Sequence, residues 1–147
     1  MKISTKGRYA LRTMVDLAKQ ENNAPISLKE IALRQDISVK YLESIVAVLH
    51  KAGFVASTRG KCGGYALTKD PADYTVGAIL KLTEKTLAPV TCLEEEEGAC
   101  KRADQCSTLP LWQELDILID RYLESVTLAD LIAQTVGRNK EVHCNGL

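Results

Sequence analysis

Between residues 7 and 20 the apolar side chains fall at Tyr9, Ala10, Met14, Leu17 and Ala18, with Arg8, Arg12 and Lys19 off that stripe, which predicts a helix. The polar stretch Glu21-Asn22-Asn23-Ala24-Pro25 ends it. Ser27-Leu28-Lys29-Glu30 then reads as a capping box, the serine oxygen accepting a free amide while the glutamate reaches back. This second helix runs to about Arg34, with Leu28, Ile31 and Ala32 on its apolar face, and Gln35-Asp36-Ile37 is a short turn. Ser38 caps a longer helix over 39–52 whose buried stripe is Leu42, Ile45, Val46 and Leu49. Gly53 stands where a left-handed residue closes a helix. Residues 54–58 and 65–68 alternate as two strands around a basic, glycine-rich tip, Arg59-Gly60-Lys61-Cys62-Gly63-Gly64.

The second half is organised differently. After the turn Asp70-Pro71-Ala72-Asp73-Tyr74, Thr75 caps a helix from Val76 to about Glu84, and from Leu87 to Leu109 periodicity is lost. Ser107 or Thr108 caps the next helix, with Pro110 in its first turn and a stripe of Leu111, Leu115, Leu118, Ile119, Tyr122 and Val126. That stripe offers more apolar surface than one small core covers, so a dimer helix is expected. Thr127-Leu128-Ala129-Asp130 opens a short last helix, running to about Thr135.

Two helices joined by a tight turn, then a basic hairpin, are the plan of a helix-turn-helix followed by a wing. The expected fold class is mainly α with a small β-hairpin wing: a winged helix-turn-helix plus a long dimerisation helix. The expected organisation is one domain over 1–136, followed by a frayed tail over 137–147. Within the domain lie a helix-turn-helix at about 28–51, a wing at 54–68, a cysteine loop at 88–108 and a dimerisation helix at about 109–126.

Charge sharpens the picture. The 147 residues carry no net charge, yet residues 1–69 hold 12 Lys and Arg against 5 Asp and Glu, a balance of +7, and residues 70–147 hold 7 against 14, a balance of −7. A basic first half calls for a polyanion. Ser38, Lys40, Tyr41 and Glu43, early on the recognition helix, are placed to reach base edges, whereas Lys51, Arg59 and Lys61 suit phosphates or a narrow minor groove. A composition of 46% hydrophobic and 26% charged residues excludes disordered, collagen-like and disulfide-scaffold chains. No apolar run approaches the ~20 residues that cross a bilayer, and the start lacks a signal-peptide stretch. A cytoplasmic protein with reduced cysteines and no membrane partner is expected. There is no nucleophile–base constellation, so an enzyme is not expected.

Cys92, Cys100 and Cys106 fall in the aperiodic segment, with seven and then five residues between them. Thiolates select iron–sulfur clusters, zinc or copper(I). Zinc sites favour Cys-x-x-Cys knuckles, absent here, so these wider gaps suit an iron–sulfur cluster better. Zinc, unliganded thiols and a redox switch stay open as alternatives. The loop has no fourth cysteine and no histidine. Cys62 lies at the wing tip, His50 late in the recognition helix, and His143 and Cys144 in the tail, while Asp104 and the run from Glu94 to Glu97 offer oxygen ligands.

Several stretches together carry a family likeness. They are Met1-Lys2-Ile3-Ser4-Thr5-Lys6-Gly7-Arg8-Tyr9-Ala10, Tyr41-Leu42-Glu43, and Leu49, Lys51, Gly53 and Val55 leading to Arg59-Gly60 and Gly63-Gly64-Tyr65. Val76-Gly77, Trp112 and Thr127-Leu128 complete the set. Across nearly its full length the sequence resembles the Rrf-type winged helix-turn-helix transcription factors, and among them the iron–sulfur cluster regulators. The resemblance implies a homodimer on a palindromic operator in double-stranded DNA, with a cluster tuning affinity or choice of site, and control of cluster-biogenesis genes. By position, Cys92, Cys100 and Cys106 match the cluster cysteines, Tyr41 and Glu43 match recognition-helix contacts, and Arg59 matches the wing residue that enters the minor groove. Two departures leave the fourth ligand open. The first inter-cysteine gap is longer than in the best-known members, and Leu109 replaces their histidine. Related nitric-oxide sensors borrow an acidic residue from the partner's first helix, where this chain has Arg8. Subfamily likeness favours 2Fe–2S over 4Fe–4S. The same family contains a cysteine-metabolism repressor that lacks these loop cysteines, so a cluster-free regulator acting through a protein partner is the alternative. A zinc or electron-transfer protein is a second alternative.

Overall fold

The computed structural model describes residues 1–94 and 100–134. The rest of the acidic run after Glu94, the expected end of the last helix at Thr135 and the 137–147 tail with His143 and Cys144 lie outside them.

Helix α1 spans Thr5–Ala18. It starts two residues before the sequence pattern suggested, because the Ser4 hydroxyl accepts from the Gly7 amide at 3.0 Å and caps it. Helix α2 (Leu28–Gln35) has the expected capping box between Ser27 and Glu30, and α3 (Val39–Lys51) is capped by Ser38. Between them Asp36 adopts the left-handed conformation at φ 52°, which a short polar side chain tolerates, so the chain reverses without a glycine. Gly53, at φ +76°, closes α3 as its position implied.

Strands β1 (Val55–Thr58) and β2 (Gly64–Leu67) pair antiparallel, Val55 opposite Leu67 and Thr58 opposite Gly64. The hairpin is wired to the segment before α2. Ile26 and Tyr65 exchange backbone hydrogen bonds of 3.0 and 2.8 Å, and the Asn23 side chain donates to the Leu67 carbonyl and accepts from its amide. A β-carbon on Gly64 would lie 2.2 Å from the Ile26 carbonyl, so only glycine lets the two backbones meet. Tyr74 is buried and acts as a hub. Its hydroxyl donates to the Phe54 carbonyl at 2.8 Å and accepts from the amides of Thr68 and Lys69.

Helices α4 (Val76–Thr83) and α6 (Leu128–Ala133) pack on α1, and α6 also meets the turn at Pro71–Asp73. The core gathers Ala10, Met14, Leu17, Ile31, Leu42, Ile45, Val46, Leu49, Ile79 and Leu128, so the apolar stripes of α1, α3, α4 and α6 close on one another. Burial of each large side chain contributes about 1.5–3 kcal/mol.

Helix α5 (Leu109–Ser125) has no buried residue. It leans on α4 through polar contacts: Lys81 donates to Asp120 at 2.6 Å and to Glu124 at 2.8 Å, and the Thr75 hydroxyl donates to Glu124. Thr108 holds the N-cap position without capping through its hydroxyl. Among the described residues no helix is long and apolar enough to cross a membrane.

Candidate functional site

Helix α3 and the hairpin tip present most of the residues expected to meet a polyanion. Ser38, Lys40, Glu43, Lys51, Arg59 and Lys61 are all exposed, and Tyr41 is half-buried. The Ser38 hydroxyl accepts from the Tyr41 amide at 3.2 Å, which fixes the first turn of α3 while leaving the hydroxyl hydrogen to donate. The opposite face of α3 is buried at Leu42, Ile45, Val46 and Leu49, so the helix cannot turn away from solvent. Gly60 sits in the hairpin turn at φ +115°, where a side chain would be strained, and carries Arg59 and Lys61 on either side. His50 meets the ring of Tyr65 edge-on, centroids 6.3 Å apart, and so joins α3 to the wing.

Behind α3 lies a network that sequence patterning missed. Asp16 of α1 is buried and takes a two-pronged contact from Arg34, at 2.6 and 3.1 Å, together with the Gln35 amide at 2.8 Å. A carboxyl group buried within an apolar stripe needs such partners. The visible signal was an acid at position 16 flanked by Val15 and Leu17.

The cysteine loop is held at both ends. At its start, Glu84 accepts from the Ser4 amide at 3.1 Å and the Ser4 hydroxyl at 2.6 Å, tying the end of α4 to the cap of α1. The Met1 ammonium donates to the Pro89 carbonyl. At its far end Cys106 Sγ lies 3.3 Å from the Thr108 hydroxyl. That hydrogen bond first, then the amide of Thr108, the amide of Leu109 and the charge of Arg102, hold the Cys106 thiol below its ordinary value. A thiol at the start of a helix is thereby disposed to ionise, the form that binds a soft metal. Cys92 is exposed, and Cys100 and Cys106 are half-buried. The described residues do not gather three of the Cys, His, Asp and Glu side chains close enough to hold a metal ion. The three thiols are donors of the kind an iron–sulfur group takes, but in this structure they stand apart, so the loop would have to draw them together to bind one. Beside it, a cavity of about 410 Å³ between the end of α4 and α5 is lined by Lys81, Leu87, Leu93, Glu94, Asp116 and Ile119.

A helix-turn-helix with a basic wing on its recognition helix defines a winged-helix DNA-binding regulator. The sequence model of the Rrf2 family, described as "Iron-dependent Transcriptional regulator", matches residues 3–134. The chain is 43% identical over 132 residues to Protein rrf2 of Nitratidesulfovibrio vulgaris, which covers 90% of this chain and 87% of that one. The structure of CymR, the global cysteine regulator of B. subtilis, matches at TM-score 0.76 and 40% identity, covering 91% of this chain and 98% of that one. The structure of T. potens IscR matches at TM-score 0.74 and 40% identity, covering 92% and 88%. The chain belongs to the Rrf2 family of transcriptional regulators. Identity does not separate the IscR and CymR relatives, so the loop chemistry has to.

Proposed function

We propose that residues 1–136 form one regulatory domain, working in the cytoplasm as a homodimer on a palindromic operator whose grip is set by an iron–sulfur cluster on Cys92, Cys100 and Cys106. The observation that carries this reading is the loop itself: three thiols, one disposed to ionise, on a segment anchored to α1 through Glu84 and running into α5. Such a cluster, 2Fe–2S by preference, supplies chemistry that responds to iron supply and oxidants. Iron–sulfur biogenesis genes are the targets that fit such a sensor.

Dimerisation is supported by α5, which turns Leu111, Leu118 and Tyr122 outward at 59%, 48% and 54% exposure while its other side meets α4. A pair of such chains presents two recognition helices to successive major grooves. Ser38, Lys40, Tyr41 and Glu43 read base edges, and Lys51, Arg59 and Lys61 meet phosphates or the minor groove. Glu43 is the discriminator of this set: a carboxylate beside phosphates is repulsive unless a cytosine amino group donates to it.

The second reading, a cluster-free regulator of cysteine metabolism working through a protein partner, is favoured by the separation of the three cysteines and by the CymR likeness. One experiment decides. Protein purified without oxygen, wild type and Cys92→Ala, is assayed for iron and sulfide, examined by Mössbauer spectroscopy and titrated against operator DNA with and without the cluster. Iron and sulfide in the wild type, lost in the variant, with different operator affinity for the loaded and stripped forms, is the expected result. Colourless wild-type protein, or equal affinity in both forms, overturns the cluster reading.

A further inference from the structure

Tyr41 is the only aromatic side chain among the expected base-contacting residues of α3, and it does not stand alone. Its ring meets the ring of Tyr9, on α1, edge-on, with centroids 5.8 Å apart and planes at 72°. The Arg12 guanidinium lies over the Tyr9 ring, 5.0 Å from its centre. Arg12 is itself held, since its Nε donates to the Gln35 side-chain oxygen at 3.1 Å and its Nη2 donates to the Gln35 carbonyl. Gln35 in turn donates to the buried Asp16 carboxylate, already fixed by Arg34. A continuous set of contacts thus runs from a buried carboxylate, through the end of α2, to an aromatic ring on the recognition helix. None of the links between Asp16 and Tyr41 belongs to α3.

A base contact is only as selective as its geometry is fixed. A ring free to change rotamer presents several faces to a base pair and discriminates poorly, whereas one wedged against a second ring presents a single face. From this contact set we propose that Tyr9, braced by Arg12, is a specificity-determining positioning residue. It holds the Tyr41 ring in one orientation and thereby sets which base pair is accepted at one position of each half-site. The inference rests on the reading of Tyr41 as a base contact.

The test selects full-length wild type, Tyr9→Leu, Tyr9→Phe, Arg12→Lys and Tyr41→Ala against a randomised duplex library, and titrates each on the wild-type consensus and its single-base variants. Tyr41→Ala identifies the position that Tyr41 reads. At that position Tyr9→Leu loosens discrimination by about 2- to 10-fold, the range an aromatic pair supplies. Its binding to unrelated DNA and its dependence on salt are unchanged. Tyr9→Phe, which keeps the ring, retains the wild-type preference. Arg12→Lys keeps the charge but not the planar stack, and loosens the same position by less. It also covers the case in which Tyr9→Leu fails to fold, because Arg12 is exposed. If Tyr9→Leu and Arg12→Lys leave preference at that position intact, or weaken every duplex equally, the positioning role is overturned while the reading of Tyr41 survives. If Tyr41→Ala itself shifts no preference, both fall together.

Discussion

Leu49 and Leu115 carry the same side chain in the apolar stripes of two amphipathic helices, yet Leu49 is fully buried and Leu115 is 37% exposed. The stripe of α3 meets α1, α4 and β1 within the same chain, and its polar face is thereby forced outward. Among the described residues the stripe of α5 buries no side chain, and α5 is held to α4 by charge and hydrogen bonds. Equal periodicity thus serves two ends: it anchors a DNA reader in one region and, on our proposal, joins two readers in the other.

Changing one leucine in each region should separate those ends. Leu115→Asp should leave the fold intact while converting dimer to monomer in light scattering. Operator affinity should fall by about 10²- to 10⁴-fold, the gain that linking two binding modules supplies. Leu49→Ala should do the reverse, lowering stability by about 2–5 kcal/mol in urea unfolding while the protein that remains folded still dimerises. Monomers from Leu49→Ala, or unfolding by Leu115→Asp, would erase the distinction between the two helices.

A smaller effect probes the reader alone. Arg59→Ala and Lys61→Ala should each lower the slope of log affinity against log salt by about 0.9 for every phosphate contact removed, with the preferred operator unchanged in the case of Lys61. An unaltered slope in both would place the wing tip away from the phosphates.

The smallest effect belongs to the thiol loop. Because the Cys106 thiol is held below its ordinary value, its reactive thiolate persists to lower pH than that of an ordinary cysteine. Iodoacetamide labelling followed by peptide mass mapping should therefore find Cys106 modified at lower pH than the cysteine of an unstructured reference peptide. Thr108→Val, which removes the largest cause, should move that profile upward toward the reference peptide. A Cys106 profile that matches the reference peptide, or that Thr108→Val leaves unmoved, would sink this account.

Much of the reader was legible in the sequence because its signals are local. Caps at Ser27, Ser38, Thr75 and Thr127, the closing Gly53 and the alternation on either side of Arg59 each act within a few residues. What escaped was long-range. The partner of Ser4 is Glu84, eighty positions away, and Asp16 meets Arg34 across a loop, so neither pair leaves a periodic mark. Thr108 misled for a related reason: it holds the cap position, but its hydroxyl turns to a sulfur two residues back rather than to an amide of the helix. The loop thiols were legible as chemistry and not as geometry, since spacing along a chain does not fix distance across an aperiodic segment.

The hydrogen bonds between Ile26 and Tyr65, tightened by a glycine at 64 and braced by Asn23, tie the hairpin to the segment that leads into α2, while the His50 ring against Tyr65 ties it to the recognition helix, so the three form a single piece. Such a piece behaves as one jaw of a calliper. Its shape is settled when the chain folds, and in the dimer we propose, what is left to adjust is the span between two jaws, which belongs to the long helix and the loop that leads into it.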